Sequence, residues 1–179
     1  AGLRDQFPER IPPAVEPLID LMAPPATEAE AMRTLSAWGT EEATEAFRAR
    51  LGHADPRLRA EAAWGARAVG DALALPGLRR LLSDPAPGAR AAACAALGIL
   101  GTEGDRAALR PLLDDPDFEV VVEATLALAY LGDPEVAGNL EDLLEVPDGA
   151  LHDTAVLALE VLGTPEARAV LARSREPRP

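Results

Sequence analysis

A glycine returns every 31 residues, at Gly39, Gly70, Gly101, Gly132 and Gly163, and its surroundings return with it. Self-similarity on such a pitch marks a stacked array in which each unit buries its apolar face against the next. Eight residues before the glycines stand Ala31, Ala62, Ala93, Ala124 and Ala155. Four before them stand Leu35, Ala66, Leu97, Leu128 and Leu159, and directly before them Trp38, Val69, Leu100, Leu131 and Leu162. These columns share one stripe of a 3.6-residue period, so each glycine closes an amphipathic helix. The constant alanine suits close approach by a neighbouring helix.

A glycine at the end of a helix can take the left-handed conformation that satisfies the last carbonyls. The residue after it is Thr40, Asp71, Thr102, Asp133 or Thr164, each able to cap a new helix. Pro134 and Pro165 then take the first helical position, where a missing N–H is harmless. One helix stops and another starts within two residues. The second helices carry Phe47, Leu78, Leu109, Leu140 and Leu171, and they end near Asp55-Pro56, Asp84-Pro85, Asp115-Pro116 and Val146-Pro147, where proline blocks continuation. An opening helix is expected at 13–22, and Thr27 with Glu30 forms a capping box for the next. The expected fold is all-α, an α-solenoid of about five helical-hairpin repeats and about eleven helices over residues 13–174. Residues 1–12 form an N-terminal extension and 175–179 a tail. Two irregularities carry expectations of their own. The break before residue 57 is shorter relative to its glycine, predicting a later helix start, while Pro76-Gly77 and Pro111 predict local bends.

Composition excludes several classes. Only six residues are aromatic, and the apolar mass is Ala, Leu and Val, the palette of close-packed helices. The single cysteine, Cys94, rules out an internal disulfide framework, and neither it nor the two histidines have metal-ligand spacing. No cofactor or metal is expected. No apolar run nears the ~18 to 20 residues that span a bilayer, and the first ten residues hold no apolar signal core, so a soluble cytoplasmic protein is expected. A net charge of −13 opposes a phosphate backbone. All 17 basic residues are arginine, which reads as the codon bias of a GC-rich bacterial genome. The acids are unevenly spread: residues 111–166 hold 14 and no basic residue.

Units such as residues 84–115, DPAPGARAAACAALGILGTEGDRAALRPLLDD, resemble the HEAT-like repeats of the bacterial phycobilisome-lyase type. The shared features are the Asp-Pro break, an apolar residue followed by Arg (Leu58-Arg59, Ala89-Arg90), the central Ala, the Leu-Gly corner and the terminal Leu pair. The resemblance covers residues 13–174. It implies a right-handed α-α superhelix whose glycine-ending helices line the concave side. It implies no single activity, because the motif consists of packing and capping residues. Among enzymes on related solenoids, deoxyhypusine hydroxylase holds two irons with His-Glu pairs, whereas here His53 precedes Ala54 and His152 precedes Asp153. DNA glycosylases of HEAT-like type need a basic concave face, which the acidic stretch contradicts. A bilin-lyase reading would lean on Cys94, which stands where a small packing residue is wanted. Asp114, Asp115, Asp117 and Glu119 lack the glycine and terminal bidentate Glu of a calcium loop.

Counting 100° per residue gives the positions that point away from the repeat core on the glycine-ending helices. Arg33 stands on the first of them, then Trp64 and Arg67, then Ala91, Cys94, Ala95 and Gly98. Val122, Thr125, Leu126 and Ala129 follow, then Asp153, Val156, Leu157 and Glu160. A face that is small and apolar where water is expected marks an interaction site. The candidate partner-binding set is Arg33, Trp64, Arg67, Cys94, Leu126, Leu157 and Glu160, forming a shallow groove for a helix or extended segment anchored by Trp64. The competing expectation is that tight curvature packs these helices on one another and leaves no groove. Asp114, Asp115, Asp117, Glu119, Glu141 and Asp142 form a second candidate surface, docking a basic partner with an attraction that weakens in salt. The expected function is a non-catalytic scaffold or adaptor that binds another protein. The alternative is a lyase-like enzyme or accessory factor holding a small ligand on the concave face. A second copy of the chain, or its continuation in a longer protein, would be a further partner for the end of the array.

Overall fold

The computed structural model describes residues 44–174. Nine α-helices occur among the described residues: α1 Thr44–Arg50, α2 Pro56–Val69, α3 Leu75–Leu81, α4 Pro87–Leu100, α5 Arg106–Leu109, α6 Phe118–Tyr130, α7 Ala137–Leu144, α8 Gly149–Leu162 and α9 Pro165–Ser174. The helix expected at 13–22, the Thr27 capping box and the corner at Gly39 lie outside them. Helices α2, α4, α6 and α8 pack in sequence as one layer, with the shorter helices against them as the second. This is the α-solenoid that the repeat implies. The columns become its core. Leu97, Leu128 and Leu159 from the first layer and Phe47, Leu78, Leu109 and Leu140 from the second are fully buried, and so are the described alanines of the constant column, Ala62, Ala93, Ala124 and Ala155. Each buried Leu or Phe contributes about 1.5 to 3 kcal/mol relative to exposure.

The expected late start of the second described repeat is not found. Pro56 is the first residue of α2, just as Pro87 is of α4, and both helices run 14 residues to their glycine. Asp55 accepts the Arg57 N–H at 2.9 Å, so the side-chain cap fixes the start and the length of the break does not. The second helices open with a 3₁₀ turn, at Ala72–Ala74, Glu103–Asp105 and Pro134–Val136, whether or not a proline follows. Pro76 therefore causes no irregularity of its own. Pro111 does, because the segment Arg110–Asp114 stays 3₁₀ where α3 and α7 are α-helical.

Three corners are left-handed as the glycine series implies: Gly70 at φ 71°, Gly132 at φ 74° and Gly163 at φ 60°. Gly101 is not. It sits at φ −76° and ψ −174°, extended backbone open to any residue. The chain leaves α4 differently because the Asp105 carboxylate reaches back to accept the Thr102 N–H at 2.9 Å. Glycine is still needed at 101, since a Cβ there would run into the Leu97 carbonyl.

Arginine–aspartate pairs stitch successive repeats together. Arg59 donates to Asp84 at 2.6 and 2.7 Å, and Arg90 repeats the contact to Asp115 at 2.8 and 2.7 Å. Both pairs are nearly buried. The same guanidiniums also hold the break before their own helix, through the carbonyls of His53 and Ala54 or of Asp84 and Pro85. A second row joins the outer layer: Arg48 to Asp71, Arg79 to Asp105 and Arg110 to Asp133, at 2.8, 2.6 and 2.8 Å. One repeat on, the first row ends with Val121 and Val146 in the places of Arg and Asp. The second row reverses, with Glu141 accepting from Arg173 at 2.8 Å.

Candidate functional site

The concave side is built by α2, α4, α6 and α8, whose residues line one shared cleft. In the middle the helices close on each other. Every outward position named on α4, Ala91, Cys94, Ala95 and Gly98, is buried, as are Thr125, Leu126 and Ala129 on α6. Small residues permit this: a Cβ on Gly98 would lie 2.8 Å from the Ala127 Cα, so the backbones of α4 and α6 touch where glycine meets alanine. Cys94, at 0% exposure, is therefore a packing residue and leaves the partner-binding set, while Leu126, at 7%, shows only the edge that lines the cleft between α2 and α8. Burial pushes the Cys94 thiol up to about 12, with the charges of Glu123 and Asp115 adding to it. A thiol in that state is no nucleophile near neutral pH.

Away from this closed stretch the candidate residues on α2 and α8 are less enclosed. Trp64 is half-buried on the core, and the Arg67 guanidinium lies 5.3 Å from the centre of its ring, a cation–π contact. On α8, Leu157 is 52% and Val161 54% exposed, flanked by exposed Asp153 and Glu160. Arg33 lies outside the described residues.

Between α2 and α8 is a cleft of about 150 Å³ lined by Arg67 of α2, Ala95 of α4, Glu123, Leu126, Ala127 and Tyr130 of α6, and Thr154 of α8. That α2 and α8 share one cleft across two intervening helices measures how tightly the array curves. Glu123 is half-buried and has no hydrogen-bond or ion partner among the described residues. Burial pushes its carboxyl above the usual range, Arg67 pulls it back in part, and Glu119 adds to the rise. Sequence reasoning passed over Glu123, Tyr130 and Thr154. The signal was available, because Glu123 is the single charged residue between Val120 and Leu131.

The acidic surface divides in the same way. Asp114, Glu119 and Asp142 are exposed. Asp115, Asp117 and Glu141 are not free docking groups: Asp115 is locked to Arg90, Asp117 caps α6 by accepting the Glu119 N–H at 3.1 Å, and Glu141 holds Arg173. The hydrogen bonds from Arg90 hold the Asp115 carboxyl below its usual range against the opposing effect of burial. Among the described residues no group of three or more His, Cys, Asp or Glu is placed to share a metal ion, and no helix is long and apolar enough to cross a membrane.

Stacked helical hairpins with packing columns and capped corners define a repeat scaffold. The pattern of HEAT repeats matches residues 15–98, 53–129 and 107–178, and the chain belongs to that family. Among solved structures it is similar to the complex of CpcE and CpcF of phycocyanin lyase from Nostoc sp., with 22% identity and a TM-score of 0.72 over 96% of this chain and 73% of that one. It is also similar to an engineered protein, with 22% identity and a TM-score of 0.56 over 89% of this chain and 84% of that one. A third likeness is to human deoxyhypusine hydroxylase in complex with glycerol, with 25% identity and a TM-score of 0.55 over 89% of this chain and 65% of that one. No curated protein matches the chain significantly by sequence.

Proposed function

We propose that this chain is a non-catalytic scaffold, acting in the cytoplasm, that holds a segment of a partner protein along the concave side from Trp64 and Arg67 to Leu157 and Val161. The observation that carries the reading is the apolar row on α8. Leu157 occupies the repeat position that is buried as Ala95 on α4 and Leu126 on α6, yet it is exposed together with Val161. Aliphatic side chains of this size beside acids suit a partner segment that is apolar with basic flanks. The pairing of two subunits in the phycocyanin lyase complex offers a precedent for a protein partner on such a frame.

Candidate partners captured from the native cell are titrated against the wild type and against Trp64→Ala and Leu157→Glu, with melting curves to show that the variants fold. The expected result is a loss of affinity of tenfold or more for each. Unchanged affinity in folded variants overturns the reading. So does sedimentation showing that the chain self-associates through Leu157, which would make a second copy the occupant.

A further inference from the structure

We propose that the cleft between α2, α6 and α8 is a socket for one basic side chain, an arginine of the bound partner segment, held by the Glu123 carboxylate beside Tyr130 and Thr154. The inference deepens the scaffold reading and rests on it only for the arginine belonging to a partner chain.

Four features point to this occupant. The first is charge: Glu123 is half-buried without a hydrogen-bond or ion partner among the described residues, and a desolvated carboxylate gains most from a cation that donates hydrogen bonds to it. The second is size. At about 150 Å³ the cleft is smaller than the ~300 Å³ where small-molecule pockets begin, so it fits a side-chain head group better than a cofactor. The third is the lining, in which Ala95, Leu126 and Ala127 offer apolar contact for a methylene stem while Tyr130 and Thr154 offer oxygen acceptors. The fourth is that Arg67, the cation already at the rim, is engaged over the Trp64 ring and makes no ion pair with Glu123. Arginine is favoured over lysine because its planar fork matches a carboxylate and sheds water more readily.

The probe is N-acetyl-arginine amide, titrated into ¹⁵N-labelled protein, with the uncharged isostere N-acetyl-citrulline amide as control. Arginine amide should shift the amide signals of Glu123, Tyr130 and Thr154 with saturation in the millimolar range, and citrulline amide should bind at least fivefold more weakly. Glu123→Gln should lose the same fivefold or more while melting no lower than the wild type, because it removes a desolvated charge. Equal binding of the two probes, shifts confined to other residues, or unchanged binding by Glu123→Gln overturns the proposal. Arg67→Ala tests whether Arg67 itself fills the socket. An external occupant predicts wild-type binding that this variant preserves or strengthens, whereas binding seen only in the variant overturns the proposal. Probe binding at Glu123 does not depend on the Leu157 titration, so the socket and the partner reading fail separately.

Discussion

Helices α4 and α8 have the same length and the same closing glycine column, yet α4 buries nine of its 14 residues and α8 only three. The difference follows from their neighbours. Helix α4 is clasped between α2 and α6, and its run of small residues lets α6 approach to backbone contact where Gly98 meets Ala127. Among the described residues α8 packs on one first-layer helix, α6, and it carries Leu157 where α4 carries Ala95. Leu126 and Leu157 stand in one column of the repeat and differ in burial, so within one repeat pattern it is the packing of neighbouring helices that separates a helix enclosed from one displayed.

Thiol chemistry gives the largest contrast. In a Cys94→Ala background, Leu157→Cys should react with an aromatic disulfide reagent at the rate of an ordinary exposed thiol, while native Cys94 reacts at least about a thousandfold more slowly. Comparable rates would mean that α4 is not enclosed. Stability comes next. Leu97→Ala should cost roughly 2 to 5 kcal/mol and Gly98→Val about 1 to 3 kcal/mol through overpacking against Ala127, whereas Leu157→Ala should stay within about 0.5 kcal/mol. Urea midpoints decide this, and a costly Leu157→Ala would erase the distinction.

The ion pairs sharpen the comparison further. Arg90→Met strands a nearly buried carboxylate and should cost roughly 1 to 3 kcal/mol, while Arg173→Met, at an exposed pair, should cost less than about 1 kcal/mol. Hydrogen bonds from Arg59 and Arg90 lower the Asp84 and Asp115 carboxyls. Their stabilisation is thus present above the unfolded value near ~3.9 and is lost as pH falls through the lower folded values. Melting temperature should drop below about pH 4 in the wild type and drop less in Arg90→Met; parallel curves would show that the pair is not coupled to folding. Two glycines give effects of opposite sign. Gly132→Val should cost about 1 to 2 kcal/mol at its left-handed corner. Gly88→Ala, where a Cβ meets nothing within 4 Å, should stabilise by about 0.5 to 1 kcal/mol, opposite in sign to Gly98→Val in the same helix.

The periodic columns made the helices, their order and the core readable in advance, because 3.6-residue patterning and capping are local properties. Exposure on the concave side was not readable. The same column holds Trp64, Ala95, Leu126 and Leu157, and whether such a residue faces a partner or the next helix depends on curvature, which local patterning leaves open. Gly101 shows a second limit: a glycine conserving its place in the period serves close approach there and handedness elsewhere. The acids of 111–166 show a third. Asp115 and Asp133 read as part of a charge excess because their arginines, Arg90 and Arg110, lie 25 and 23 residues upstream, beyond the range of any local pattern.

The reversal at Glu141 and Arg173 makes the repeats ordered parts rather than interchangeable ones. A second copy of residues 102–132 inserted after Gly132 would find its complements, since the first Arg110 would meet a copied Asp105 and the copied Arg110 would meet Asp133. A second copy of residues 133–163 would not, because the place Arg173 now holds would pass to a duplicated Asp142, setting it against Glu141. The array can be lengthened at Gly132 by duplication, while the junction held by Glu141 and Arg173 accepts only the piece it has.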